Sequence, residues 1–423
     1  MTLNEQIRCA IGAYRDEIAE FTKTLVAIPT ENPPGRGYAA CTQVIANKLR
    51  YLGFEPEVRA LPTQETADFS TLSAPRNDSS GVFRRGGTER YWVRSFFGEG
   101  ERTLYFHGHY DVVPASSETQ FAPELRNGNL FGRGSADMKS GLAAMMYAVK
   151  ALKDIGVKLA GRIGLVFVPD EETGGMCGSQ MLAEQGELGR GGIGMLTPEP
   201  TGGTIWHASR GAISMGVTVK GKPAHVGLAG RGVNAFEQML QVAGALVEHK
   251  KAVSARETAC RVTPESARGS ILLVGGCCEG GTNFNVVPEA CSFTVDRRTN
   301  PEEDLQKEKE SLLGILDGFR QKGVQLEMEI LQEGLSAASP ETGEVASTLA
   351  QSVAEITGRR PSFEMCPGLL ETRFYAAKGI PAYAYGPGML SVSHGPNEFV
   401  AVENIYSCAA VYALTAARIL AAA

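Results

Sequence analysis

The sequence of 423 residues has no CxxC motif, no long apolar segment at its N-terminus and no excess of basic residues. Its nine cysteines are scattered, and only Cys277 and Cys278 are adjacent, which is typical of reduced thiols in a cytosolic protein rather than of a disulfide framework. The formal net charge of -6 argues against a surface that binds nucleic acid. Residues 1–21 mix polar and apolar side chains, so neither a signal peptide nor a membrane span is expected there. We therefore expect a cytoplasmic protein that acts on small molecules, without nucleic-acid or membrane partners.

The G-x-S-x-G pattern that carries the nucleophile of α/β-hydrolases is also absent, which counts against an esterase that uses serine. With 43% hydrophobic and 21% charged residues, the chain has the composition of an ordinary globular protein. A single hydrophobic core stops growing at about 250–300 residues. A chain of 423 residues therefore predicts two domains.

Strand and helix patterns alternate in the first half of the chain. Short apolar segments predict core strands at residues 103–108, 161–170 and 193–200. A helical pattern follows the first of them, so we expect an α/β arrangement whose mixed or parallel sheet is covered on both faces. Apolar spacing predicts one opening helix over residues 5–27 and a second over 39–52. The polar segment 62–88 predicts a long loop or insertion.

The pattern changes from residue 209 to residue 332. Alternating strand patterns are separated there by two helical stretches, which is typical of an α+β module. After residue 332, the helix and strand patterns typical of an α/β domain return. We therefore predict a catalytic domain formed by residues 1–208 and 333–423, with a smaller domain, residues 209–332, inserted into it.

Histidine and acidic residues occur at the ends of the predicted strands, where the loops of an α/β sheet commonly form sites. In GHYDVVP, His109 and Asp111 are two residues apart on an extended segment, so both side chains project to one side. Such a pair suits a metal ligand and the carboxylate that orients it. In GRGSADMKSG, Asp137 lies in a Gly-rich turn before a helix, a position that suits a bridging carboxylate.

Further acids and a histidine continue this series. Asp170, Glu171 and Glu172 follow an apolar strand, and three consecutive acids at a buried strand end would repel one another without cations. In LTPEPTGG, Glu199 follows the next strand between two prolines, and His394 lies in the late loop SVSHGPNEF. These oxygen and nitrogen ligands suit zinc, cobalt or manganese.

Taken singly, each feature has a more common explanation. A lone histidine is usually exposed or hydrogen-bonded, and a run of acids is usually a solvated surface. His107, His207 and His249 are accordingly interpreted as structural. Several metal-ligand types in succession, each at a strand end or loop, are hard to explain as coincidence and predict a metal centre.

In order, GHYDVVP, GRGSADMKSG, DEETGG, PEPT, GKPAHVG and NFNVVPEACSFTVDRR resemble the motifs of metallopeptidase family 20. That family includes acetylornithine deacetylase, succinyl-diaminopimelate desuccinylase, aminoacylase and carboxypeptidase G. The resemblance runs from about residue 20 to the C-terminus. It implies an α/β fold: a mixed-sheet, zinc-peptidase-like catalytic domain with an inserted α+β lid and dimerisation domain. A homodimer or higher homo-oligomer is therefore expected.

The resemblance also implies roles for the site residues. It implies one or two divalent ions, Zn, Mn or Co, with Asp137 as a bridging ligand, His109 and Glu199 on one ion, and Glu172 and His394 on the other. Glu171, the first glutamate of the DEE motif, would be the general base, and Asp111 would orient His109. Bound cations of this kind lower the pKa of a bridging water and polarise the bond under attack.

Three residues of the inserted domain acquire roles through the same resemblance. His225 in GKPAHVG would enter the active site of a second subunit and stabilise the developing oxyanion. Asn285, before VVP, and Arg298, in a D-x-R pattern with Asp296, would contact the substrate. Without the resemblance, the favoured interpretation of His225 is a turn residue.

The substrate is less well determined, because the family shares its machinery and varies its pocket. Where many acetylornithine deacetylases carry a Thr-Asp-x-Arg segment, this chain has LLETRFYAAKG. Arg373 keeps a cation that could grip a carboxylate, whereas residues 370–372 change its neighbourhood. Arg84 and Arg85 in the polar segment add to this difference.

The preferred function is hydrolysis of a C–N bond, other than an ordinary peptide bond, in a small carboxylate-bearing molecule, most simply an N-acyl amino acid. One alternative is an aminohydrolase that releases ammonia from an aromatic amine acid such as a nitroanthranilate, through attack of a metal-activated hydroxide on the ring. A second alternative is a catalytically silent metal-binding receptor. That last alternative is weak because degenerate relatives usually lose a ligand or the base, and here all are present.

Overall fold

The computed structural model describes residues 1–61, 66–67, 85–86 and 89–421. The predicted polar insertion at 62–88 therefore lies almost wholly outside the described residues, together with Arg84 and the side chain of Arg85.

The helices and strands are numbered here in chain order. The helices are α1 (Leu3–Ala13), α2 (Arg15–Val26), α3 (Tyr38–Tyr51), α4 (Lys139–Asp154), α5 (Met181–Glu184), α6 (Ala235–Ser254), α7 (Leu305–Gln321), α8 (Glu344–Thr357), α9 (Thr372–Ala376) and α10 (Val402–Ile419). The strands are β1 (Glu57–Leu61), β2 (Thr66–Ala67), β3 (Arg85–Gly86), β4 (Arg90–Gly98), β5 (Thr103–His109), β6 (Glu124–Arg126), β7 (Asn129–Phe131), β8 (Arg162–Val168), β9 (Gly192–Thr197), β10 (Ile205–Ser209), β11 (Gly211–Lys220), β12 (Ile271–Gly280), β13 (Ala290–Thr299), β14 (Gln325–Gly334), β15 (Ala337–Ala338), β16 (Phe363–Cys366), β17 (Ala382–Ala384) and β18 (Phe399–Ala401).

The larger sheet is mixed. Its strand order is β1-β4-β8-β5-β9-β17-β10-β15, and β16 pairs with β10 beside this path. Strands β8, β5, β9 and β17 run parallel to one another, whereas β4 is antiparallel to β8 and β10 is antiparallel to β17. The carboxyl ends of four neighbouring strands therefore meet at one edge of the sheet, which is where an α/β protein places its site.

Helices cover both faces of this sheet. In β5, Leu104 and Phe106 belong to the core that contains α1 to α4, α8 and α10. Tyr105 points to the opposite face, where it joins a second core with side chains of α5 and α9. This alternation follows from the period of two along a strand, and because both faces of the sheet are covered, every residue of β5 is buried.

The smaller sheet is antiparallel, with the order β12-β13-β11-β14. Its core packs one face of the sheet, including Val217 and Phe293, against Met239 of α6 and Leu312 of α7. Strands β11 and β14 pair with each other, so the chain enters and leaves this sheet through neighbouring strands.

The predicted α/β class is confirmed, and β5, β8 and β9 lie where apolar segments predict strands. The prediction of one helix over residues 5–27 is wrong, because the backbone of Tyr14 (φ -105°, ψ 7°) separates α1 from α2. Strand β12 was not predicted. The boundaries at residues 208 and 332 stay a prediction. Among the residues described, no helix combines the length and apolar character that crossing a bilayer requires.

Candidate metal centre

Four of the predicted site residues follow neighbouring parallel strands. His109 is the last residue of β5, Glu171 and Glu172 come shortly after β8, and Glu199 comes two residues after β9. Asp170, just before these glutamates, has a φ of 69°, a left-handed conformation that is uncommon outside glycine and turns the chain back from the strand end. The sheet itself therefore brings these four side chains to one edge.

Two further residues approach from outside the strands. Asp137 lies two residues before α4, and His394 lies in the loop between β17 and β18, where its φ is 63°. The side chain of His394 is about half exposed, whereas those of His109 and Asp137 are buried. The loop thus closes the group of buried acids from the solvent side.

Asp137 lies between two histidines. Its Oδ1 is 3.4 Å from Nε2 of His109, and its Oδ2 is 3.4 Å from Nε2 of His394. Nε2 of His394 is also 3.2 Å from Oε2 of Glu172, and Oε2 of Glu171 is 3.9 Å from Nε2 of His109. The two oxygens of one carboxylate therefore face two separate imidazoles, as a bridging ligand would require.

Three atoms of this group are buried without a hydrogen-bond partner: His109 Nε2, Asp137 Oδ1 and Glu172 Oε1. One ligand atom from each of these three residues lies within 4.8 Å of the others. Buried polar atoms without partners are rare in proteins. A divalent cation fits this donor set, because nitrogen and carboxylate ligands suit such ions.

The electrostatics of the group point the same way. Burial raises the pKa of Glu171, Glu172 and Glu199, and neighbouring carboxylates add to this effect. Burial opposes the charged form of His109, but the carboxylates of Asp111 and Asp137 outweigh it and raise the pKa of this imidazole well above its ordinary value. So many acids in one buried place cannot ionise together without opposite charge, which a divalent cation supplies.

The carboxylate of Asp111 supports the site from beneath. Nδ1 of His109 lies 3.0 Å from the backbone oxygen of Asp111 and 3.4 Å from its Oδ1. The same carboxylate accepts the backbone N–H groups of Glu171 and Glu172 and the side-chain amide of Asn32. Asp111 therefore contacts both the strand end that carries His109 and the turn that carries the glutamates.

A second buried support, Arg133 with Glu398, was missed by the sequence analysis. One oxygen of Glu398 accepts the backbone N–H groups of Ala136 and Asp137, at 2.9 and 3.1 Å. Its other oxygen pairs with Arg133, whose guanidinium also donates to the backbone oxygen of His394 at 3.0 Å. Both residues lie inside motifs quoted above, GRGSADMKSG and SVSHGPNEF. The available signal in the sequence was therefore a charged residue in each motif.

The acids border a cavity of about 230 Å³. Its lining includes five of the predicted site residues, Asp137, Glu171, Glu172, Glu199 and His394. The smaller sheet contributes Arg298 and Gln332, and the remaining wall is largely apolar, with Trp206 and Leu370 among its side chains. Glu199 thus shares one cavity with the other predicted ligands, and Arg298 is placed where a substrate could reach it.

Two predicted residues of the inserted domain lie elsewhere. The N–H of Val226 donates to the backbone oxygen of Asn285 at 3.0 Å, which places Asn285 close to His225. His225 is exposed, and its Nδ1 accepts the N–H of Gly227. Neither His225 nor Asn285 lines the cavity within the described part of this single chain. Their predicted roles therefore depend on a second subunit.

Arg373 is buried, and its guanidinium is used within the chain. It donates to the backbone oxygens of Leu370 and Gly174, each at 2.7 Å. It borders a different cavity, beside Phe374. The structure thus connects Arg373 to the turn that follows Glu172, and its role in substrate binding stays a prediction.

The histidines interpreted as structural have protein partners. His107 is fully buried, with Nε2 2.6 Å from Oε2 of Glu371 and Nδ1 3.1 Å from the hydroxyl of Tyr375. Nδ1 of His207 lies 2.8 Å from the backbone oxygen of Ser339. These contacts agree with a structural role for both.

Comparison with known proteins gives the family. Residues 105–418 match the model of peptidase family M20/M25/M40. The chain is 26% identical over 414 residues to a succinyl-diaminopimelate desuccinylase from Stenotrophomonas maltophilia, covering 95% of this chain and 99% of the relative. Human carnosine dipeptidase 1 has the same fold, with a TM-score of 0.76 at 16% identity over 99% of both chains. An M20 family metallo-carboxypeptidase from Sulfolobus solfataricus has a TM-score of 0.74 at 17% identity, covering 95% of this chain and 99% of the other.

The fold and the relatives define a hydrolase of the metal-binding type, so the chain is an enzyme. It belongs to peptidase family M20/M25/M40, and the resemblance to metallopeptidase family 20 is confirmed. These relatives lend no support to the two alternatives, an aromatic-amine aminohydrolase and a silent receptor.

Proposed function

We propose that this enzyme is a metal-dependent amidohydrolase that removes the acyl group from a small N-acyl amino acid. The observation that supports this most is the position of Asp137, whose two carboxylate oxygens face His109 and His394 at 3.4 Å each. The similarity to a desuccinylase along almost the whole chain supports a C–N bond outside ordinary peptides. Because the fold is similar to that of a dipeptidase, dipeptides must be tested as substrates beside N-acyl amino acids.

The proposed ligands divide into two groups around Asp137. His109 and Glu199 would hold one divalent ion, Zn, Mn or Co, and Glu172 and His394 would hold a second, with Asp137 shared. Ions bound in this way polarise the bond under attack and lower the pKa of a bound water. The three unpartnered buried atoms of His109, Asp137 and Glu172 support this assignment.

Glu171 is the proposed general base. Its carboxylate borders the cavity beside His109, and it is fixed from below by the hydrogen bond between its backbone N–H and Asp111. In the metal-free site, burial raises the pKa of Glu171 above its ordinary value. As the base, Glu171 would accept a proton from the attacking water and return it to the departing nitrogen.

Arg298 is the proposed contact for the substrate carboxylate. It lines the same cavity as the acids, and Asp296 accepts a hydrogen bond from its Nε at 2.9 Å, which orients the guanidinium. Planar guanidinium groups bind carboxylates through paired hydrogen bonds. Asn285 and Arg373 are also proposed to contact the substrate, although neither borders this cavity in the described chain.

A homodimer or higher homo-oligomer through the inserted domain completes the proposal. Strand β12 is an edge strand of the smaller sheet and exposes Leu273, while α6 exposes Phe236, Leu240 and Val247. An open edge beside exposed apolar side chains is a surface that another chain can cover. His225 would then reach the active site of the second subunit and stabilise the developing oxyanion. The cytoplasmic location stays a prediction.

Turnover of a substrate panel by the metal-loaded protein tests the function. N-acyl amino acids, dipeptides and aminobenzoates are each incubated with the enzyme, and released primary amine and released ammonia are measured separately. We expect amine from N-acyl amino acids, at higher kcat/KM than from dipeptides. Ammonia from aminobenzoates without hydrolysis of N-acyl amino acids would replace this proposal with the aromatic-amine alternative.

A further inference from the structure

We propose that the preferred substrate carries a single carboxylate and an apolar group, aromatic or branched aliphatic, and that Trp206, Leu370 and Leu390 hold the apolar group. This inference rests on the proposed amidohydrolase function and names the substrate class of the same cavity. It follows from the composition of the cavity walls rather than from any relative.

The apolar part of the cavity lining is largely preformed. Trp206, Cys366 and Leu370 are buried, with 6%, 3% and 4% of their surfaces exposed, and they pack together with Ala384 in one cluster. Trp206 comes from β10 and Cys366 from β16, two paired strands of the larger sheet, so the wall is anchored in regular structure. An apolar substrate group would extend an existing hydrophobic cluster.

Leu369 and Leu390 continue this wall along the cavity. Leu390 is 43% exposed, so a ligand in the cavity can cover part of its side chain. A ligand that covers Leu390 and contacts Trp206 would remove apolar surface of both the ligand and the cavity wall from water, and this stabilises the bound state.

The charge on the cavity walls, as far as the described residues form them, favours a substrate with one carboxylate. Arg298 is the lone arginine or lysine that lines the cavity among the described residues. Gln332, its neighbour on the smaller sheet, is neutral. A second carboxylate would lie against the apolar wall, where an unpaired charge is costly, or beside the acids of the metal centre.

This composition separates the chain from a relative named for a succinyl substrate. A succinyl group ends in a carboxylate of its own, so an N-succinyl amino acid brings two carboxylates to a wall on which the described residues place one cation. An acyl amino acid with one carboxylate and one apolar group matches this composition.

The first test compares kcat/KM of the metal-loaded full-length protein on defined substrates. N-acetyl-L-phenylalanine and N-benzoylglycine carry the apolar group on the amino-acid side and the acyl side, respectively. N-acetyl-L-aspartate and N-succinyl-L-alanine each carry a second carboxylate. We expect at least one apolar substrate to exceed both dicarboxylates by roughly 10-fold or more, because one well-placed apolar contact discriminates by about that factor.

The second test moves the preference. Leu390→Arg adds a cation to the cavity wall at an exposed position, and we expect the kcat/KM ratio of apolar to dicarboxylate substrates to fall by roughly 10-fold. Met389→Arg is the matched control, because Met389 is also exposed, at 38%, and does not line this cavity. The kcat/KM ratio of the Met389→Arg variant should equal that of the unaltered protein.

The outcomes separate this inference from the function on which it rests. Hydrolysis of N-acyl amino acids with a preference for the dicarboxylates would overturn the inference and leave the amidohydrolase function in place. An equal change of the ratio in Leu390→Arg and Met389→Arg would also overturn it. Absence of hydrolysis of every N-acyl amino acid would remove the proposed function, and this inference with it.

Discussion

Oδ1 of Asp111 accepts the backbone N–H of Glu171 at a distance of 3.2 Å. Oδ2 of the same carboxylate accepts the N–H of Glu172, also at 3.2 Å, and the side-chain amide of Asn32 at 2.9 Å. Asp111 thus connects the end of β5 to the turn after β8. Its role is broader than the orientation of one imidazole, because it also sets the backbone from which the proposed base and a proposed ligand extend.

Asp111→Asn should weaken metal binding by about 10- to 100-fold, the usual effect of losing a group that holds metal ligands. The amide keeps the shape of the side chain, but its NH2 group would face an N–H donor. Calorimetric titration of the metal-free protein with Zn²⁺ measures the effect, with the exposed Asp317→Asn as control. Equal Zn²⁺ affinity in the two variants would show that Asp111 does not support the ligands.

Glu171→Gln should lower kcat by about 10²- to 10⁴-fold, since an amide cannot accept the proton from the attacking water. Metal content should stay unchanged, because Glu171 is proposed as a base and not as a ligand. Steady-state kinetics and elemental analysis on the same preparation measure both quantities. Glu99→Gln, at an exposed position, is the control and should keep the kcat of the unaltered enzyme. A kcat of Glu171→Gln near that of the unaltered enzyme would refute the assignment.

Glu398→Gln should destabilise the protein by about 3–5 kcal/mol, because it leaves the buried guanidinium of Arg133 without its carboxylate. Urea denaturation measures the free energy of unfolding. Glu403→Gln is the matched control: Glu403 pairs with Arg15 at the surface, and such exposed pairs contribute about 0–1 kcal/mol. If the two substitutions cost the same, the buried pair does not hold the loop of Asp137.

Glu303→Gln should make the stability of the protein less sensitive to acid. Burial alone would raise the pKa of Glu303, but Ser270, Asn300 and Arg297 outweigh burial and lower this pKa. The carboxyl group therefore binds a proton more tightly in the unfolded chain. Its stabilising contribution is complete above the ordinary glutamate pKa of about 4.3 and is lost as the pH falls through the lower pKa of the folded state.

Urea unfolding midpoints of the two proteins across this pH range provide the measurement. The difference between unaltered protein and Glu303→Gln should be largest near neutral pH and should shrink in acid, where Glu303 is protonated in both states of the unaltered protein. A difference that stays constant with pH would mean that the charge of Glu303 does not contribute to folding.

Local sequence patterns predict the parts of the site that depend on strand ends. Glu171 and Glu199 come two or three residues after buried apolar strands, so periodicity locates them and parallel pairing brings them together. The supporting pair could not be predicted in this way. Arg133 and Glu398 are 265 residues apart, so although each of their motifs contains a charged residue, neither local pattern identifies the partner.

The errors in the fold have similar physical causes. Strand β12 contains Gly275 and Gly276, and its pairing with β13 shifts register between Val274 and Cys278, so the expected alternation is interrupted. The break at Tyr14 leaves the apolar spacing of α1 and α2 intact, which is why the pattern predicts one helix. Periodicity reports which face is buried, not where the backbone turns.

The inserted sheet begins and ends on paired strands, with Ala212 opposite Gly334. A segment whose two ends are neighbours can be exchanged without distorting the scaffold that receives it. Arg298 and Gln332 travel with that segment, whereas the ion-binding edge stays with the scaffold. Recombination between related enzymes would thus transfer the proposed carboxylate contact as one unit, while the apolar wall of the cavity and the ion-binding edge stay with the scaffold.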